Sequence, residues 1–364
     1  MKWLLSFLIL IFSLSSYAIS FEDAIFPELA TSSRALAMGN AFIAKVDDAS
    51  AAFYNPAGLG TVRYPHLHFS NFSFETNKGL ITAATGGALT KAFSNTTKIM
   101  STDGMRQLLA TQQGTIAHSR IQALPNFTSR YFSVGYLFSK RSRAVMNDTT
   151  SSTGFEFADR MDTGPYAAIN FSLFGGVIKF GASGILLYRS EINKSVDPTQ
   201  TIALTSSDYS KGLSTIVTGG FKFTMPITFL PTFAANIHNA LDKSFSAGGA
   251  GAPTKIPRSI DVGFSITPQI GTSTRIHLEV NYKDLTSMYS GVSTTRRILV
   301  GAELDFSRVF FFRLGYGDGF GSAGIGIKSR KLEFDLTTYA VDTTAAAFRG
   351  HEDRRFAFSV STGF

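Results

Sequence analysis

From Tyr64 onward apolar and polar residues alternate with a period of two, the pattern of strands whose two faces meet different surroundings. Over 258–267, Ile260, Val262, Phe264 and Ile266 share one face, and Asp261, Gly263, Ser265 and Thr267 share the other. Ile276, Leu278, Val280 and Tyr282 oppose Arg275, His277, Glu279, Asn281 and Lys283 in the same way. Leu332, Phe334 and Leu336 oppose Lys331, Glu333 and Asp335, and Arg313 opposes Phe310, Phe312, Leu314 and Tyr316. Charge keeps to one parity. Along the chain the pattern predicts fourteen strands, at 64–75, 116–124, 130–141, 163–174, 177–189, 208–223, 228–238, 257–267, 273–284, 295–306, 309–317, 320–328, 331–341 and 354–364.

A soluble sandwich alternates too, so the connections carry the distinction. If the last strand ends on the periplasmic side, the connections near 125–129, 175–176, 224–227, 268–272, 307–308 and 329–330 all lie there, and all are short. Those on the other side, 76–115, 142–162, 190–207, 239–256, 285–294 and 342–353, are long, and only Asp318-Gly319 makes a tight hairpin among them. Short periplasmic turns, long external loops and an even strand number are the pattern of an outer-membrane barrel. A charge on the lipid face at mid-membrane costs about 2–4 kcal/mol, so the charged parity must point into the lumen. Closure is demanded as well, because unpaired backbone groups in hydrocarbon cost several kcal/mol each. The expected fold is all-β: a transmembrane antiparallel β-barrel over 64–364.

The first residues read as a targeting signal. Lys2 precedes an apolar run from Trp3 to Leu14, and Ser16-Tyr17-Ala18 offers a small-x-small cleavage site, so 1–18 is expected to be removed after Ala18 or Ser20. The run is short of the ~20 residues that a spanning helix needs. The C-terminus alternates Phe356, Phe358, Val360 and Thr362 up to Phe364, and a last strand ending in Phe resembles the signal read by the barrel-assembly machinery.

Residues 19–63 break the alternation. The stretch 34–60 is rich in small residues, Ala35, Ala37, Gly39, Ala41 and Ala44, that permit close packing. Asp47 and Asp48 can accept from local N–H groups, and Asn55-Pro56 followed by Gly58 demands a sharp turn. Fourteen strands enclose a lumen wider than side chains alone fill, so this compact segment is expected to plug it. Met38-Gly39, Ala41-Phe42, Asp47-Asp48-Ala49 and Asn55-Pro56-Ala57-Gly58-Leu59 resemble the N-terminal hatch of FadL-like outer-membrane transport barrels, and equally that of the related PorV/PorQ branch. The resemblance implies hatch residues Gly39, Asp47, Asp48, Asn55, Pro56, Ala57 and Gly58. It also implies passive transport of a hydrophobic small molecule, such as a long-chain fatty acid or hydrocarbon, with no cofactor. The PorV branch implies instead a docking or shuttle component of a secretion complex. In the family an early kinked strand opens a gap in the wall; Gly135 and Gly164-Pro165 are the places here where one could form.

Composition agrees with a barrel: 34 Phe and 12 Tyr, 33 Gly and only 16% charged residues. The absence of cysteine removes disulfides, thiolate metal sites and cysteine nucleophiles. A net charge of +8 without any run of like charges gives no nucleic-acid groove. His66 and His68 share one strand face but lack a third metal ligand nearby in sequence. The glycine-rich run 315–324 spans a hairpin with no following helix, so it serves a turn and close wall packing, not a nucleotide. No catalytic motif is present, and the expected class is a non-enzyme. In the longest loop, Thr102 to Gln113 places Met105, Leu108 and Leu109 at helical spacing after a capping Thr or Asp, so a short external helix is expected, either collecting ligand or covering the mouth. The 248–253 segment GGAGAP is expected to be mobile. Inward cations Lys179, Lys222, Arg275 and Arg313 are candidates to hold a ligand carboxylate, or else pair with lumenal acids or hatch carboxylates.

Overall fold

The structure, a computed structural model, describes residues 29–86, 96–99, 101–289, 292–329, 331–343 and 352–363. The leader at 1–18 and the terminal Phe364 lie outside the described residues. Fourteen long strands form one antiparallel sheet. They are β1 (His66–Asn77), β2 (in two segments, Ile116–Ala123 and Asn126–Thr128), β3 (Phe132–Met146), β4 (Phe155–Leu173), β5 (Ile178–Val196), β6 (Ser210–Thr224) and β7 (Thr232–His238). Then follow β8 (Ser259–Ile266), β9 (Thr274–Tyr282), β10 (Ile298–Phe306), β11 (Phe310–Gly317), β12 (Phe320–Lys328), β13 (Leu332–Asp342) and β14 (Glu352–Gly363). β1 pairs with β2 on one side and with β14 on the other, which closes the barrel.

The barrel is inside out relative to a soluble protein. On β11, Phe312 and Leu314 are 54% and 65% exposed, while Arg313 between them is 2% exposed. On β9, Leu278 and Val280 face outward and His277, Glu279 and Asn281 are buried. No aqueous driving force yields this arrangement, because it exposes apolar area and buries charge. In hydrocarbon the preference reverses.

One rim of the barrel carries the short turns and the other the long loops. The β11–β12 hairpin turns on Asp318 and Gly319, with φ of 54° and 85°, the two positive values that a two-residue hairpin requires. On the long-loop rim, β3, β4 and β5 run several residues beyond the expected ends at 141, 163 and 189. Hydrophobic alternation stops at the edge of the apolar band, but the backbone ladder does not. Arg189 Nε–Asp162 Oδ1 and Arg160 Nε–Glu191 Oε2, each 2.7 Å, hold the extension instead. Conversely β10 starts only at Ile298, because Thr294–Arg297 makes a 3-10 turn.

Among its described residues, the loop after β1 holds three helices, α3 (Lys78–Thr85), α4 (Thr96–Ile99) and α5 (Thr102–Leu109). The N-cap of α5 is Ser101, whose Oγ accepts from Gly104 N at 3.1 Å, so the helix begins one residue after the cap and not on a capping Thr or Asp. Met105, Leu108 and Leu109 are buried against Phe155 and Phe157 of β4. The apolar face of α5 is therefore used up in covering the lumen. Gly248–Gly249 pairs with Ser210 and Lys211 at the start of β6, and Ala250 N donates to Tyr209 O at 3.0 Å. That loop is fastened to the wall.

Candidate functional site: the lumen and its N-terminal segment

The segment before β1 folds as α1 (Ser33–Ala37), α2 (Ala51–Tyr54) and a 3-10 turn (Pro56–Thr61). Helices this short have no stability of their own. They are held by a shared core of Met38, Phe42, Val46, Phe53, Tyr54 and Leu59, with Phe42 and Tyr54 edge-on at 5.6 Å. The whole unit sits within the barrel, since it hydrogen-bonds inward-facing groups on strands all around it. Ser322 Oγ on β12 donates to Ala37 O at 2.9 Å, Thr337 Oγ1 on β13 to Ser33 O at 2.9 Å, and Ser183 Oγ on β5 to Ala52 O at 2.5 Å. Gln122 on β2 exchanges two bonds with the Thr31 backbone, at 2.9 and 3.0 Å.

Two contacts fix its position. Along one side, the backbone at Met38 and Gly39 lies against wall glycines. A Cβ on Gly315 would fall 2.1 Å from Gly39 N, and one on Gly39 itself (φ 63°) would fall 2.6 Å from the Tyr316 backbone. Opposite, the Asn55–Ala57 turn lies on Gly181 and Gly220, where a Cβ would come within 2.2 Å of the Ala57 nitrogen and of Asn55 Oδ1 respectively. An ion network then joins segment to wall. Arg34 is bidentate to Glu303 of β10 (Nε–Oε2 2.8 Å, Nη2–Oε1 2.9 Å) and reaches Asp47 Oδ1 at 2.6 Å. Glu303 also receives Arg313 Nε at 2.8 Å and Lys45 at 3.4 Å, and Arg313 bonds Asp335 Oδ1 at 2.5 Å.

The residues singled out by sequence are placed as follows. Asp47 takes Arg34, and Asp48 Oδ1 accepts from Ser50 N at 2.8 Å. Asn55 Oδ1 caps the 3-10 turn from Ala57 N at 3.1 Å, while its Nδ2 donates to Ile43 O at 3.0 Å and Phe221 O at 3.2 Å. Pro56 opens that turn. Gly58 abuts Val46, whose carbonyl oxygen a Cβ would meet at 2.5 Å. The four cations are not gathered at one point. Arg313 is enclosed between Glu303 and Asp335, Arg275 is half-buried at the start of β9, and Lys179 and Lys222 stand together at the short-turn mouth. Arg34 and Glu303 were not foreseen. The parity of Glu303 marked it as lumenal, but its partner lies 269 residues away.

Between the segment and the long-loop rim lies a small, partly open pocket. Phe53, Tyr166, Ile185, Ile216 and Ile256 line its apolar side, and His238, Lys283 and Tyr289 its polar side. Phe53 and Tyr166 meet edge-on at 5.0 Å at its floor. His238 Nε2 lies 3.2 Å from Asp261 Oδ2 and 2.9 Å from Asn236 Nδ2. A second, smaller space, bounded by Asn40, Ile43, Tyr54 and Asn281, shares Phe53, His238 and Lys283 with the first. The compartment can therefore take an apolar body against aromatic and branched side chains and a polar end toward His238 and Lys283.

No protein-family model matches the chain, and no curated protein matches it in sequence. Solved structures do. The CymD monoaromatic hydrocarbon channel superposes with a TM-score of 0.54 at 10% identity, covering 95% of this chain and 99% of its own. The Ralstonia pickettii toluene transporter TbuX gives 0.51 at 12% identity, covering 92% and 98%. The Pseudomonas putida toluene transporter TodX gives 0.51 at 10% identity, covering 93% and 99%. At these identities the likeness is one of fold, and the fold that this chain shares with those channels is a closed, antiparallel fourteen-stranded barrel.

Proposed function

We propose that the chain is a passive conduit of a bacterial outer membrane for small hydrophobic molecules, with residues 29–62 acting as its hatch. The observation that carries this reading is the apolar lining of the pocket resting on the hatch, made by Phe53, Tyr166, Ile185, Ile216 and Ile256. A channel for hydrophilic solutes has no use for such a compartment. Burial contributes about 25 cal/mol per Å2 of apolar area, so contact with that lining favours capture without any specific polar contact. The fold supports the same reading, since the solved barrels that share it are described as channels and transporters of toluene and monoaromatic hydrocarbons. A hydrocarbon or a fatty-acid-like molecule would pass beneath the α3–α5 cover, rest in the cavity and leave once the hatch shifts.

The test is flux into proteoliposomes. Toluene or decanoate should cross faster with the barrel than without it. Ile216→Trp, which fills the cavity from the wall, should cut that flux tenfold or more while heat-dependent gel mobility stays that of a folded barrel. Equal flux with and without protein would overturn the conduit. Lipid extracts of the native protein, analysed by mass spectrometry, should contain an apolar molecule in near-stoichiometric amount.

A further inference from the structure

Lys179 on β5 and Lys222 on β6 are register partners across the sheet, both inward, both within two residues of a short turn. They are 5% and 4% exposed. Like charges directly opposite one another destabilise a strand pair, and a buried ammonium without a counterion is costly. No carboxylate among the described residues lies within ion-pair distance of either one. The Lys179 ammonium donates to the Gly176 carbonyl of the adjacent turn. The Lys222 ammonium makes no hydrogen bond to any described residue. Two further cations act on the pair, Arg130 on Lys179 and Lys45 on Lys222. The two carboxylates that act on Lys222, Asp47 and Glu279, are already engaged: Asp47 by Arg34 at 2.6 Å, and Glu279 by Ala44 N at 2.8 Å and His277 at 3.0 Å. The chain thus concentrates positive charge here and, among the described residues, places no carboxylate in direct contact with either ammonium.

We propose that Lys179 and Lys222 form a binding site for an oxyanion group, a carboxylate or a phosphate, at the short-turn mouth of the lumen beneath the hatch. One oxyanion between the two ammonium groups answers both with charge-assisted hydrogen bonds and removes the repulsion across the strand pair. The position is specific. One step further in on the same faces, Gly181 and Gly220 carry the Asn55–Ala57 turn, and Gly60 lies so close to Lys179 that a Cβ would fall 2.7 Å from its Cδ. The bound group therefore touches the hatch from below, on the side away from the cavity. The site does not depend on the conduit reading, because a lipid head group, a free anion or a departing acid would satisfy it equally.

The experiment uses the full chain in non-ionic detergent and three probes: inorganic phosphate, decanoate and a short-chain phosphatidylglycerol, with decanol as the uncharged control. At least one oxyanion probe should raise the thermal unfolding midpoint and bind saturably by calorimetry. Lys179→Gln and Lys222→Gln should each weaken that binding tenfold or more, and Lys222→Arg should retain it. Phosphate active alone identifies a free anion, decanoate without phosphate an acyl carboxylate, and phosphatidylglycerol alone a lipid head group. Failure of all three to shift the unmutated protein overturns the site, as does a folded Lys179→Gln/Lys222→Gln variant that binds like the wild type. Flux plays no part in these measurements, so a failed conduit and a failed anion site are told apart.

Discussion

Glu303 ties the hatch to the wall through three cations. It is fully buried and receives Arg34 twice, Arg313 and Lys45. Gly326 makes the outer part of this network possible, since a Cβ there would fall 2.4 Å from Asp335 Oδ1 and 2.7 Å from Arg313 Nη1. Removing the negative charge leaves Arg34 only Asp47 and Asp48, Arg313 only Asp335, and Lys45 without its partner, and breaking a buried pair in this way costs about 3–5 kcal/mol. Glu303→Gln should therefore lower the unfolding midpoint and raise ion conductance in planar bilayers as the hatch loosens. A variant with wild-type conductance would show that the glycine seats alone retain it. Those seats give an independent prediction. Gly315→Val puts a side chain where Gly39 N lies 2.1 Å away, so the hatch should be displaced from that side with the outer face of β11 undisturbed. Conductance should rise while heat-dependent mobility persists.

At the scale of elements, α5 shows how a helix legible in sequence acquires its meaning from what it lies on. Its spacing of Met105, Leu108 and Leu109 fitted a ligand-gathering surface and a cover equally well. Packing on Phe155 and Phe157 is what buries that face and fastens the helix to the barrel. Leu109→Asp should release it, and limited trypsin digestion should then cut at Arg106 while the barrel stays intact. Acid should act on the same element. Burial pushes the Asp103 carboxyl up, but Arg106, Gln107 and the Ile202 amide donate to it and hold it below its ordinary value. A carboxyl depressed in the folded state stabilises above its unfolded pKa and loses that contribution as pH falls through the folded value. Trypsin-like nicking, measured with an acid-tolerant protease, should thus appear at 101–115 as pH drops below the carboxylate range, before the barrel itself opens. The strand ends show the opposite relation between sequence and element. β3 to β5 outrun their hydrophobic pattern because cross-strand pairs such as Arg189–Asp162 carry the ladder where no lipid is left to demand apolar side chains.

At the scale of the molecule, the barrel and its hatch behave as container and content with separate requirements. Backbone pairing around all fourteen strands is complete without the hatch, since every strand has its neighbours in the sheet. Deleting Gly39 to Gly58 should accordingly leave assembly intact and raise permeability to small hydrophilic solutes. A correctly folded deletion with unchanged permeability, measured by liposome swelling, would count against a plug.

The alternation of residues by itself determined that this chain is a closed barrel with charge inside. Period two, the single parity of charge and the segregation of short from long connections are local properties, and the membrane permits one solution to them. The turn-rich character of 34–60 was equally local, because glycines, an Asn-Pro step and paired aspartates act within a few residues of themselves. What rests on side chains meeting across the lumen was not legible. Arg34 finds Glu303 through a separation of 269 residues, Lys179 stands beside Lys222 through a strand register, and the cavity exists because the hatch stops short of the long-loop rim. Register and the height of the hatch are settled by the sum of many weak contacts around the barrel, and no single stretch of sequence contains that sum.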